Sequence, residues 1–179
     1  MKQLLTMALL ASGLMASIQV NAQAEEDKSK RPSPPAKVTQ KISSGATISI
    51  DYSQPSLKGR IIGESGPKGV EPMDGHVWRT GANEATVFET DKDVTIDGKK
   101  LPAGKYGLFT LFNGKEVTII FNKTWSQWGA FKYKDADDVL RVKTSYTEAS
   151  STEKVTFKIS PAGVVTLLWG TRKVDFKVH

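Results

Sequence analysis

Apolar and polar residues alternate in steps of two at several places along this chain, a period that suits a half-buried strand and not a helix. In ATISIDY, Ala46, Ile48, Ile50 and Tyr52 share one face while Thr47, Ser49 and Asp51 share the other. Val155, Phe157 and Ile159 repeat the pattern, as do Val174, Phe176 and Val178. Turn residues fall between these runs. Asn113-Gly114 separates KYGLFTLF from KEVTIIF and predicts a type I′ hairpin, Asp97-Gly98 follows DVTI in the same manner, and Ala162-Gly163 precedes VVTLLWG. Tyr106–Phe112 and Val117–Phe121 carry apolar residues on both faces, which places them centrally in a sheet covered on both sides. The expected fold is therefore all-β, an antiparallel β-sandwich or jelly-roll-like domain, with at most one short helix near 124–133.

The two ends of the chain read differently from its middle. Met1-Lys2-Gln3, an apolar run from Leu4 to Met15 and small residues around Ala22 form the pattern that a signal peptidase selects, so residues 1–22 are expected to be a signal peptide, with Ala24 as the alternative cleavage position. The apolar run is shorter than the roughly 20 residues a membrane helix needs, so no membrane span is expected after cleavage. Residues 23–41 include EEDKSKRPSPPAKVTQK, rich in charge and proline, and are expected to be a disordered tether. Residues 42–179 then form a single domain in a protein exported to the periplasm or secreted. The sequence has no cysteine, which excludes disulfides and thiolate metal sites.

Charge narrows the partners. Six of the 25 basic and three of the 19 acidic residues precede Ile42, leaving 19 and 16 in the domain, interspersed and with a net of only +3. Such a surface gives no reason to expect nucleic acid.

Candidate site residues concentrate in VWRTGANEAT (77–86). Gly81 permits a turn after a short strand containing Trp78, and Asn83 tolerates left-handed geometry. Arg79 offers a planar fork to a carboxylate or sugar, and Glu84 is an acceptor or base. The alternative is that Arg79 bonds Glu84 or backbone carbonyls and braces the turn. A second cluster, Trp125, Trp128, Phe131 and Tyr133, suits stacking against sugar rings or, alternatively, a lid packed on the sheet edge. His76 lacks a second ligand at metal-binding spacing. Asp91, Asp93 and Asp97, then Asp135, Asp137 and Asp138, lack the spacing of a calcium loop and read as turns. Neither a phosphate-loop nor a GxSxG pattern occurs, so no metal and no cofactor is expected.

Four stretches, YSQPSLKGR (52–60), VWRTGANEAT (77–86), KKLPAGKYGLFTLF (99–112) and WSQWGAFKYKDADDVLRV (125–142), together resemble an exported bacterial family known as domain of unknown function 2911. That resemblance implies the domain and no particular reaction. The residues themselves lead to a non-catalytic cell-envelope domain that binds a small or glycan-like ligand, or a protein partner, through Trp78, Arg79, Asn83, Glu84 and Trp128. The alternative is a hydrolase with Glu84 or His76 as general base and Arg79 as charge stabiliser.

Overall fold

The computed structural model describes residues 26–179. The signal-peptide expectation over 1–22, and the first part of the expected tether, lie outside them. Twelve strands follow in chain order: β1 Pro35–Lys41, β2 Thr47–Ser53, β3 Ile61–Ile62, β4 Gly69–Val70, β5 Val77–Trp78, β6 Val87–Thr90, β7 Val94–Ile96, β8 Lys99–Leu101, β9 Gly104–Asn113, β10 Glu116–Asn122, β11 Asp138–Ile159 and β12 Val164–Lys177. The principal sheet runs in the spatial order β1-β2-β6-β9-β10-β11-β12, with β5 also paired to β9. All of its pairings are antiparallel. The all-β expectation holds, but the second layer comes from the same sheet curling over into a half-barrel. Strand β11 makes this possible: it is 22 residues long and its pairing with β12 shifts register twice, after Glu148 and after Thr152. Such irregularities bend a strand and increase its twist. Its second half thereby reaches the chain just beyond β2, where Leu57 N–H donates to Glu153 O and Val155 N–H to Pro55 O.

The enclosed core holds Phe88, Phe112, Phe121, Trp169, Ile48 and Ile50, all buried. Phe88 and Phe121 meet edge to face at 5.0 Å. Each such fully buried ring stabilises the fold by roughly 1.5–3 kcal/mol relative to exposure. Central strands β9 and β10 bury their second face too: Phe109 and Ile120 pack with Ala85 beneath Val77, Leu111, Ala130 and Tyr133. Residues 123–134 supply part of that cover as turns, and no helix forms there. Among the described residues no helix is long and apolar enough to cross a membrane.

Two sequence-based expectations need correction in detail. Pro35–Lys41 is not part of a disordered tether. It pairs along its whole length with β2, from Pro35 opposite Ser53 to Lys41 opposite Thr47. Ala36 and Val38 pack on the core. Two apolar side chains suffice because an edge strand has only one covered face. The β9–β10 hairpin is real, but Asn113 pairs with Glu116, so the central residues are Gly114 and Lys115. Only Gly114 has positive φ (59°), the requirement of a II′ turn and not of I′. Asp97-Gly98 does meet the I′ requirement, with φ of 46° and 81°.

Candidate functional site

The run 77–86 acquires its shape from a break in the sheet. Strand β5 pairs Val77 with Leu111 and Trp78 with Thr110, whereas β6 pairs Val87 with Gly107, so β5 and β6 occupy one lane beside β9. Residues 79–86 leave that lane and return to it, and Thr86 N–H closes the excursion on Arg79 O at 3.2 Å. Trp78 is buried, and its indole N–H donates to Gly81 O at 3.1 Å. Thr80 is held at φ 54°, unusual for a β-branched residue, with its hydroxyl against Trp78 O and the Thr110 hydroxyl. Asn83 takes the left-handed geometry read from the sequence, φ 57°. Its amide donates to Ser33 O (2.9 Å) and the Ser53 hydroxyl (3.3 Å). Backbone strain of this kind is retained where the surroundings fix it, commonly at binding sites.

Trp78, Arg79 and Asn83 line a cleft of about 450 Å³, completed by Ser33, Arg60, Glu71 and Met73. Among the described residues the Arg79 side chain makes no ion pair with Glu84, and its Nη1 lies 3.8 Å from the point a side chain on Gly129 would occupy. Its Nε is buried without a hydrogen-bond partner among the described residues. Burial pushes the guanidinium pKa down, and only the field of Glu71 opposes this. Arg60 lies in the same cleft, fixed by donation from Nε to Leu57 O (3.0 Å) and from Nη2 to Ser56 O (2.6 Å). Glu71 is engaged locally, accepting from Met73 N–H at 2.9 Å.

Glu84 and Trp128 stand apart from that cleft, bridged to each other through their backbones. The Glu84 carboxylate accepts two hydrogen bonds from Nη1 of Arg31, at 2.8 and 3.0 Å, and pairs with Lys28 at 2.9 Å. Burial alone would raise its pKa, but hydrogen bonds from Lys28, from its own backbone and from Arg31 outweigh this and hold it at about 2. Nothing in the sequence pattern points to these partners, which lie more than 50 residues earlier in the segment expected to be a tether. Arg31 also stacks on Trp128, 5.5 Å from the ring centroid. Trp128 and Trp125 remain 50% and 39% exposed, and Phe131 86%. Tyr133 instead packs on Phe109 at 5.1 Å. Residues 123–134 thus cover the sheet with Ala130 and Tyr133 while presenting indoles outward. Tyr133 donates to Asp138 (2.8 Å) and accepts from Arg141 (2.8 Å), a network that anchors the segment.

His76 is exposed, its Nδ1 3.1 Å from Asp74 O, and it does not line the Arg79 cleft. Asp91, Asp93 and Asp97 accept backbone hydrogen bonds from other segments, at Thr47, Ala103 and Lys177 N–H, while Asp135 and Asp137 sit in a short 3-10 turn and Asp138 opens β11. Among the described residues no cluster of three or more histidine and carboxylate side chains could hold a metal ion.

A family described as protein of unknown function (DUF2911) matches residues 33–178, which includes β1, the rest of the principal sheet and every residue lining the cleft. The chain belongs to that family. The DUF2911 match begins at Ser33, in agreement with a fold that starts ahead of Ile42. No curated protein and no solved structure matches the chain.

Proposed function

We propose that this DUF2911 chain is an exported, non-catalytic binding domain that receives the acidic group of a small or glycan-like ligand on Arg79. One observation carries the reading: a desolvated guanidinium with a buried, unpartnered Nε lines an open polar cleft. A guanidinium in such a place is costly by itself and favours a planar, two-oxygen acceptor arriving from solvent. Arg60 adds positive charge, Asn83 adds an amide at the rim, and Trp78 fixes the loop from below. Export rests on the signal-like N-terminus; the two exposed indoles lie outside this cleft, with Arg31 over Trp128 and Lys105 over Trp125.

The hydrolase reading draws less support. A carboxylate held at about 2 by two cations is a poor general base near neutral pH, and His76 lies away from Arg79.

Isothermal titration with glucuronate and galacturonate, using glucose as the neutral control, tests the proposal. Heat is expected with the acids and not with glucose, and Arg79→Met should abolish it while Arg79→Lys weakens it at least tenfold. Silence across a panel of carboxylates, or unchanged affinity in Arg79→Met, overturns the reading.

A further inference from the structure

A second cleft, of about 390 Å³, opens on the far side of Arg60 and is lined by Arg60, Tyr146, Glu148, Ser151 and Arg172 among others. It repeats the feature that marks the first. Nη1 of Arg172 is buried and has no hydrogen-bond partner among the described residues. The guanidinium lies 5.0 Å from the Tyr146 ring centroid and 5.5 Å from that of Phe112. Contacts of this sort use the face of the cation and leave its in-plane N–H groups available. Glu148 stands opposite Arg172 in the β11–β12 register, yet no ion pair joins the two among the described residues. Arg172 is therefore held in place by aromatic packing rather than by a carboxylate.

The two clefts adjoin. Arg60 belongs to both, and its attachment to Leu57 O and Ser56 O gives it one fixed position between them. The remaining partition is the segment 71–73. Glu71 and Met73 face the first cleft, and the buried Trp169 holds Glu71 O through its indole N–H at 2.8 Å. On the other side, Nη2 of Arg172 and Pro72 O both lie within 4 Å of the point a side chain on Gly63 would occupy. Segment 71–73 thus lines the first cleft and lies beside Arg172.

We propose that the two clefts form one ditopic site for a ligand carrying two carboxylates, one received by Arg79 and the other by Arg172, with Arg60 between them. The proposal rests on the reading of Arg79 as an anion-binding residue and extends it to the ligand's second acidic group. Joining two weak contacts in one molecule makes the second intramolecular, which can raise affinity by roughly 10²–10⁴ when the spacing fits. An acidic oligosaccharide with acid groups on successive sugars is a ligand of this chemistry.

The test is a titration series on the full mature chain: linear dicarboxylates from glutarate to sebacate, each against the monocarboxylate of equal length, followed by galacturonate against digalacturonate. At least one dicarboxylate is expected to bind tenfold or more tightly than its monoacid, with one ligand per chain. Arg172→Met should bring the diacid down to monoacid affinity and leave Arg79-dependent monoacid binding in place. Should that variant fail to fold, Arg172→Lys retains the charge without the fork, and the length series on the unaltered protein decides independently. Equal affinity of diacids and monoacids at every length overturns the ditopic site while leaving the Arg79 reading intact. Absence of any monoacid binding that depends on Arg79 overturns both.

Discussion

Replacing Arg79 by methionine should make the protein more stable while removing its ability to bind an anion. The side chain is kept from water at Nε and has no acceptor there, and an unsatisfied buried donor costs about 1–3 kcal/mol. Methionine keeps most of the apolar stem that packs against the loop and lacks the orphaned nitrogen. The opposing loss is the attraction to Glu71, which is already bound to Met73 N–H; a partly solvated pair of that kind contributes about 0–1 kcal/mol. The balance is a net gain of about 1–2 kcal/mol. For a domain of this size it raises Tm by roughly 2–8 °C. Thermal and urea unfolding of the two proteins side by side, monitored by circular dichroism, measure it. A brace gives the opposite sign: if Arg79→Met lowers Tm by several degrees, the arginine is holding the 79–86 loop together, and the inference from an unpartnered guanidinium to a binding site is refuted. A gain in stability accompanied by loss of carboxylate binding is the signature of a residue retained for function at the expense of folding.

Three further outcomes follow from the same structure. Glu84→Gln should cost about 1 kcal/mol at pH 7 after allowance for its 38% side-chain exposure; because the native carboxyl is lowered from 4.5 to about 2, the difference from the unaltered protein should persist above pH 4.5 and vanish as the pH falls toward 2 in urea titrations. Tyr133, raised to about 12 mainly by burial and then by Asp138, should ionise after an ordinary tyrosine in an ultraviolet titration, and the stability it contributes should be intact below pH 10 and lost as the pH rises through 12. Gly163→Ala should destabilise by about 2–4 kcal/mol in urea unfolding, since a side chain there meets Val178 O and the residue sits at φ 86°; an effect under 1 kcal/mol would show that the closure between Gly163 and Val178 is easily rearranged.

The strands that enclose the core were legible because their alternation is driven by burial on one face, as in Ile48, Ile50 and Tyr52. So was the central position of β9 and β10, where apolar residues occupy both faces. Strand β1 was not, because proline and lysine, the residues that make 35–41 look disordered, also protect an exposed sheet edge from pairing with another chain. Most of β11 passed unnoticed for a related reason: Val142, Thr144 and Tyr146 alternate with Lys143, Ser145 and Thr147, but few of these side chains are apolar. At the cleft, the sequence anticipated the left-handed geometry of Asn83. It could not assign pairs. Glu84 is paired with Lys28 and Arg31, and Arg79 has no ion-pair partner among the described residues, because such choices depend on where distant segments meet.

The interrupted lane beside β9 has one more consequence. Val77 and Trp78 are pinned to β9 before the excursion and Val87 to Thr90 afterwards, and the excursion itself is fitted into the fold: Ala85 is buried with Phe109 and Ile120, and a side chain on Gly81 would stand 3.0 Å from Ser53 O. Substitutions within 79–86 are therefore expected to be tolerated at the partly exposed Arg79, Asn83 and Glu84 and to be costly for folding at Gly81 and Ala85.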